Sequence, residues 1–149
     1  PLDGMGGKSI YMMEEINEEE CKILKKLTNN YKTQIVVQEF LPDIYDGDFR
    51  VLIIHGEPYK KTLARIPQGG SFKGNLAAGG KGEVRDISDV QMRIGSVVGE
   101  YLMKKDINFA GIDIIGQKLT EINITSPTCA REIFEQSGMN PIEDYFKKL

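Results

Sequence analysis

The sequence has little of what membrane, secreted and nucleic-acid-binding proteins carry. No apolar run approaches the ~20 residues of a membrane helix, and the N-terminus lacks the charged and then apolar segments of a signal peptide. A formal net charge of −3 and a pI near 5.3 give no electrostatic reason to expect a nucleic-acid surface. We therefore expect a cytoplasmic protein that binds neither membranes nor nucleic acid.

Residues for thiol and imidazole chemistry are also scarce. The two cysteines, Cys21 and Cys129, lack metal-ligand spacing, so we expect both to be reduced and structural. The single histidine, His55, precedes a glycine, and nothing in the sequence pairs it with a base or a metal. The 149 residues suffice for one compact domain with a hydrophobic core.

The first residues already lie inside a glycine-rich loop, Pro1 to Gly7, and no methionine precedes them. Glycine loops that bind phosphate normally follow a strand, and no strand precedes this one. We therefore interpret residues 1–149 as a partial domain, the C-terminal part of a longer protein. Activity that depends on the remainder is not expected of this chain alone.

The order of the predicted elements indicates an α+β domain with a mainly antiparallel sheet and helices packed on one face. Capping boxes predict helices that follow Asn17 and Ser88 and run to about Thr28 and Lys105. Two further helices are predicted near Pro127, ending at Gly138, and from Pro141. Strands are predicted at Ser9–Met12, Gln34–Leu41, Phe49–Ile54 and Tyr59–Ile66, and around Asp113 and Glu121.

The last two strands are predicted to form a hairpin that carries a hard-metal site. Side chains alternate along a strand, so Glu121 and Asn123 share a face about 7 Å apart. A three-residue turn, Gly116 to Lys118, would set Asp113 opposite Glu121, whereas a two-residue turn would put Glu121 on the other face. In the first arrangement the core face carries Ile112, Ile114, Ile122 and Ile124. The alternative is that these polar residues are only the solvent side of a half-buried sheet.

Two glycine-rich segments favour the metal site. Backbone N–H groups near Gly6 and Gly7 could approach phosphate oxygens, although Leu2 stands where a P-loop would need glycine. The second segment, Arg65 to Gly82, is long enough to be a lid that is mobile without ligands. Its candidate residues are Gly69, Gly70, Lys73, Asn75, Gly79 and Gly80. The alternative for the first segment is a simple turn, and the alternative for the second is a flexible surface loop.

A third candidate region begins at Gln38. A strand end at Glu39, Phe40 and Leu41 could offer backbone groups to an adenine edge, and the acid Asp48 could accept a bond from a ribose hydroxyl. The alternative for the neighbouring Arg50 is a strand-surface residue paired with an acid.

These segments together resemble the ATP-grasp ligases, and among them the bacterial glutathione synthetase family. The resemblance spans nearly the full chain. It rests on the opening Pro1 to Gly7, Asp46 to Asp48 with Arg50, Ala64 to Gly70, Gly74 to Gly80, Gly111 to Gly116, Leu119 to Asn123, and Thr125 to Thr128.

The resemblance implies a ligase that joins γ-glutamylcysteine to glycine with ATP, through an acylphosphate, and releases ADP and phosphate. Matching positions imply that Mg²⁺ or Mn²⁺ is held by Asp113, Glu121 and Asn123. They imply that Arg50 and Arg65 stabilise developing charge. They further imply nucleotide contacts at Gly6, Gly7, Glu39, Phe40, Leu41 and Asp48.

The resemblance also leaves alternatives open. Lys73 stands where the family leads us to expect arginine, and two lysines that the family uses would lie upstream of this chain. A ligase of the type that modifies ribosomal proteins uses similar chemistry and a similar lid. A third interpretation is an ATP-binding segment that is inactive on its own. A homo-oligomer is compatible with each of these.

Overall fold

The structure is a computed structural model that describes residues 1–3 and 6–149. Gly4 and Met5, which belong to the first predicted glycine loop, lie outside the described residues. The chain forms two compact units, residues 1–42 and residues 43–149.

The first unit contains one helix, α1 (Glu18–Leu27), among its described residues. Asn17 caps it as predicted, since its side-chain oxygen accepts hydrogen bonds from the backbone of Glu19 and Glu20 at 2.8 and 3.4 Å. The strands predicted at Ser9–Met12 and Gln34–Leu41 are wrong, because neither segment is paired in a sheet. Apolar β-branched residues favour a strand only where a partner strand packs beside them.

The second unit is built on a five-stranded antiparallel sheet with the order β3-β2-β1-β4-β5. The strands are β1 (Asp48–Ile54), β2 (Glu57–Ile66), β3 (Lys81–Asp86), β4 (Phe109–Ile115) and β5 (Lys118–Asn123). The predicted antiparallel α+β architecture is confirmed. Strand β3 was not predicted, because Lys-Gly-Glu-Val-Arg-Asp has a single large apolar residue and no apolar run.

Three helices complete this unit, α2 (Asp89–Met103), α3 (Ala130–Ser137) and α4 (Pro141–Phe146). The predicted capping box of Ser88 and Gln91 opens α2, and Asn140 caps α4. Helix α3 begins at Ala130 and not at Pro127, because the preceding Cys129 adopts a left-handed φ of 84°. Gly138, with a φ of 72°, ends α3 as predicted.

Helices cover both faces of the sheet, whereas the sequence predicted one. On one face Val98 and Leu102 of α2 pack against strand residues such as Val51. On the other, Ile133 of α3 packs among residues that include Leu52. The reason lies in the run Val51 to Ile54, which is apolar at every position and therefore needs cover on both sides.

None of the helices described for residues 1–3 and 6–149 has the length and apolar character needed to cross a lipid bilayer. The cytoplasmic location stays a prediction.

Candidate functional site

The β4–β5 hairpin sets the register of the predicted metal ligands. Its turn has two residues, Gly116 and Gln117, so the predicted three-residue turn is wrong. A β-bulge at Thr120 restores the parity, and Asp113 lies opposite Glu121 as the sequence predicted. The Thr120 hydroxyl donates a hydrogen bond to the Asp113 carbonyl at 3.1 Å, which ties the extra residue to the partner strand.

The apolar face of this hairpin is only partly buried. Ile112 and Ile114 on β4 are fully buried, as predicted. Ile122 and Ile124 are 41% and 49% exposed, so their predicted place in the core is wrong. The difference arises because β5 is an edge strand, and the cluster formed with α2 takes its strand residues from β1 and β4.

Arg50 and Asp113 form a buried ion pair across β1 and β4. The Arg50 Nε and Nη2 atoms donate to Asp113 Oδ1 and Oδ2 at 2.5 and 2.9 Å. The two side chains are each 5% exposed. Burial opposes the charge on Arg50, but the hydrogen bond to Asp113 and the negative charge of Asp113 together outweigh it and raise the pKa of the guanidinium.

Arg65 joins this pair from β2. Its Nη2 atom contacts Asp113 Oδ2 at 2.8 Å and Asp48 Oδ2 at 2.5 Å. Its Nε donates to the Asp48 carbonyl at 3.2 Å. The formal charges of these four residues cancel, and we refer to Asp48, Arg50, Arg65 and Asp113 as the charge cluster. The charge cluster therefore places two buried arginines on the same carboxylate, that of Asp113, with no net formal charge.

Asp48 is the least satisfied member of the charge cluster. Its Oδ1 is buried and has no hydrogen-bond partner among the described residues. Burial raises the pKa of Asp48, and the opposing attraction of Arg65 does not overcome this. The Asp48 side chain is 13% exposed and bound to Arg65, and its predicted contact with a nucleotide stays a prediction.

Gly111 and Thr128 position Arg50, a role that the sequence did not predict for either residue. A Cβ at Gly111 would lie 2.9 Å from Arg50 Cδ and 3.0 Å from Pro127 Cβ, so only glycine leaves room here. Thr128 Oγ1 accepts a hydrogen bond from Arg50 Nη1 at 3.4 Å. The available signal was a glycine in the interior of an apolar strand, which often marks the close approach of another group.

The other predicted metal ligands lie on β5. Glu121 is exposed and faces Asp113 across the hairpin. The Asn123 side-chain oxygen accepts hydrogen bonds from the backbone of Thr125 and Ser126, both at 3.1 Å. Asp113 is engaged by two arginines, and residues 1–3 and 6–149 contain no gathered group of three His, Cys, Asp or Glu side chains. Oxygen ligands on one sheet face still fit a hard cation such as Mg²⁺.

The predicted lid has a compact C-terminal half. A 3-10 turn, Leu76–Ala78, is closed by Gly79, whose φ is 93°. A Cβ at Gly74 would lie 2.5 Å from the Arg65 carbonyl, and a Cβ at Gly80 would lie 2.1 Å from the Gly74 carbonyl. These two glycines are needed for close backbone packing.

The N-terminal half of the lid is open. Gly69 and Gly70 have φ values of 62° and 78°, and a Cβ at either would meet nothing within 4 Å. The Lys73 ammonium lies 5.8 Å from the centre of the Phe72 ring. Mobility of the lid without ligands stays a prediction.

The remaining predicted nucleotide residues belong to the first unit. Gly6 and Gly7 have φ values of 62° and 73°, a left-handed conformation that glycine adopts without strain. Glu39, Phe40 and Leu41 lie in a segment without regular secondary structure. Their contacts with a nucleotide stay predictions.

Comparisons with known proteins agree on one family. Residues 1–138 match the family described as "Prokaryotic glutathione synthetase, ATP-grasp domain". The chain is 50% identical over 133 residues to the glutathione synthetases of Vibrio parahaemolyticus and Escherichia coli K12, covering 89% of this chain and 42% of each relative. It is 47% identical over 140 residues to that of Xanthomonas campestris, covering 94% of this chain and 44% of the relative. The chain thus spans less than half the length of these relatives.

Proposed function

The chain belongs to the prokaryotic glutathione synthetase family through its ATP-grasp domain, and on this premise we propose that it is part of an ATP-dependent ligase that forms glutathione. The proposed substrates are γ-glutamylcysteine, glycine and ATP, and the products are glutathione, ADP and phosphate. The observation that carries the proposal is the pair of buried arginines beside Asp113 and Glu121 in a chain of this family.

The proposed reaction has two steps. A carboxylate oxygen of γ-glutamylcysteine attacks the γ-phosphorus of ATP, and ADP leaves with the electrons of the broken bond. The glycine amine then attacks the acyl carbon, loses a proton, and phosphate departs. Negative charge accumulates on the phosphoryl and acyl oxygens in both steps, so fixed positive groups lower both barriers.

Arg50 and Arg65 supply this charge in the proposal. Both guanidinium groups are held by carboxylates in a buried site, so they are positioned before the anion arrives. Mg²⁺, when bound, would neutralise phosphate oxygens. We propose that Asp113, Glu121 and Asn123 hold it, with Mn²⁺ as a substitute.

The other proposed contacts bind the nucleotide and exclude water from the acylphosphate. We propose that the backbone near Gly6, Gly7, Glu39, Phe40 and Leu41, together with Asp48, meets ATP. The lid residues Gly69, Gly70, Lys73, Asn75, Gly79 and Gly80 close over the acylphosphate, which water would otherwise hydrolyse. Lys73 keeps the positive charge that the family leads us to expect but cannot make a two-point bond to an anion.

The proposal is tested on the full-length protein by measuring glutathione formed from γ-glutamylcysteine, glycine and MgATP, with ADP release followed in parallel. We expect equal amounts of glutathione and ADP, and loss of both with Arg50→Lys. The matched control is Arg93→Lys on α2, since that residue is exposed. ADP release that requires glutamate and a peptide instead would support the ribosomal-protein-modifying type.

The chain of 149 residues can be tested on its own by isothermal titration with ATP and Mg²⁺. Binding without glutathione formation would identify it as a nucleotide-binding part of the enzyme. Glutathione formation by this chain alone would show that the rest of the full-length protein is dispensable for the reaction.

A further inference from the structure

We propose that Asp48 is a positioning residue that keeps the Arg65 guanidinium in the site when Asp113 turns to a metal ion, an inference that rests on the proposed function. Asp48 and Arg65 are directly opposite each other in β1 and β2. Asp48 holds Arg65 at two points, through its carboxylate at 2.5 Å and its carbonyl at 3.2 Å. A two-point contact fixes the direction of a guanidinium as well as its distance.

Arg65 needs the contact with Asp48 because Asp113, its other partner, also binds Arg50. Asp113 contacts both arginines, and its Oδ2 lies within 2.9 Å of Arg50 Nη2 and 2.8 Å of Arg65 Nη2. Arg50 has a further partner in Thr128. If the Asp113 carboxylate rotates toward a cation, Arg65 loses this contact and depends on Asp48.

The residues around Asp48 keep its carboxylate in contact with Arg65. The lid backbone at Gly74 lies over the pair, since a Cβ there would be 3.1 Å from Asp48 Cβ and 2.5 Å from the Arg65 carbonyl. The free oxygen of Asp48, Oδ1, is buried. A buried carboxylate is costly without a counter-charge, so Asp48 and Arg65 hold each other in place.

The experiment compares wild type with Asp48→Asn in the full-length protein. The substitution keeps the shape of the side chain and removes its charge. We expect kcat to fall by about a hundredfold, because a catalytic group displaced by about 1 Å costs that much. We expect the Kd for ADP with Mg²⁺, measured by titration calorimetry, to rise by a smaller factor than kcat falls, because the Arg65 guanidinium meets charge that develops in the transition state. Asp86→Asn, at an exposed aspartate paired with Lys61, is the matched control.

Crystal structures of both proteins with ADP and Mg²⁺ give a readout that does not depend on activity. We expect the Arg65 guanidinium on Asp48 in the wild type and displaced in Asp48→Asn. An unmoved Arg65 in the variant would overturn the proposal, as would a tenfold or larger rise in the Kd for ADP with kcat unchanged. If Asp48→Asn does not fold, Asp48→Glu moves the charge by one methylene and is expected to give the same pattern.

Failure of this inference is distinguishable from failure of the proposed function. A wild type that forms no glutathione would refute the reaction, whereas the position of Arg65 in the crystals would still decide the role of Asp48.

Discussion

Arg50 and Asp113 face each other across β1 and β4 and share two hydrogen bonds in the interior of the second unit. Apolar residues of similar volume would stabilise a sheet face as well as a buried ion pair does, so stability alone does not explain this arrangement. We attribute it to the proposed chemistry, which needs fixed positive charge beside a metal ligand. The predictions for turnover below refer to the full-length protein.

Removing Arg65 should affect both catalysis and folding. We expect Arg65→Ala to lower kcat by ~10²–10³, corresponding to about 3–4 kcal/mol, with a smaller change in ATP affinity. The free energy of unfolding should fall by about 3–5 kcal/mol, because Asp48 and Asp113 lose a buried counter-charge. Steady-state kinetics and urea denaturation measure the two effects. Arg85→Ala, an exposed strand position, serves as the control, and lost ATP binding with an unchanged kcat would contradict the assignment.

Glu121 should be needed for turnover and not for stability. It is exposed on β5, so its side chain contributes little to the core. We expect Glu121→Ala to abolish Mg²⁺-dependent turnover and to leave the thermal midpoint nearly unchanged. Glu100→Ala on α2 is the matched control, since Glu100 pairs with Lys104 on the surface. An ordinary kcat in Glu121→Ala would remove this residue from the metal site.

A substitution at Gly111 should displace the Arg50 side chain. A methyl group there would lie 2.9 Å from Arg50 Cδ, so Gly111→Ala should push the guanidinium away from Asp113. We expect a loss of about 1–3 kcal/mol in the free energy of unfolding, as for other overpacked sites, together with a reduced kcat. Gly82→Ala is the control, because its nearest neighbour would be the flexible end of Leu76 at 3.3 Å. Equal effects of the two substitutions would show that Gly111 has no special relation to Arg50.

The sequence predicted the central fold better than its edges. Apolar composition predicts the buried strands at Val51 to Ile54 and at Ile112 to Ile115. A local capping pattern, formed by Ser88 and Gln91, predicts the start of α2. Strand β3 escaped prediction because it is held by pairing with β2 and by Gln136 of α3. The Gln136 side chain bonds to the backbone of Gly82 and Val84. The two Gln136 contacts join residues 52 and 54 positions apart and leave no local pattern.

The same distinction applies to the site. Side-chain parity predicted that Asp113 and Glu121 share a face, and the pairing agrees. No local pattern could show that Arg50 and Arg65 converge on Asp113, because the three residues lie on different strands. The metal roles of these residues stay predictions.

Tyr59 should make the free energy of unfolding of the second unit fall at alkaline pH. Burial and a hydrogen bond to Asp144 at 2.8 Å raise the pKa of Tyr59. A raised folded pKa means that the full contribution to stability is present below the unfolded value of about 10 and is lost as the pH rises through the folded value. We expect the free energy of unfolding of wild type to fall more steeply than that of Tyr59→Phe above that unfolded value. Urea denaturation at a series of pH values measures this, and parallel curves would show that Tyr59 is not perturbed. Asp144→Asn should reduce the difference.

The bulge at Thr120 gives a test of register. Ile114 pairs with Leu119 and Asp113 with Glu121, so Thr120 is the unpaired extra residue between them. Deleting Thr120 should therefore leave Glu121 opposite Asp113, and we expect the full-length protein to keep measurable Mg²⁺-dependent turnover. Deleting both Leu119 and Thr120 moves the pairing by one further residue, which sets Ile122 opposite Asp113 and turns Glu121 to the other face. We expect that variant to lose turnover. Nuclear Overhauser contacts between β4 and β5 report the pairing in each case. Turnover that survives the double deletion, with the shifted pairing verified, would show that Asp113 and Glu121 need not share a face.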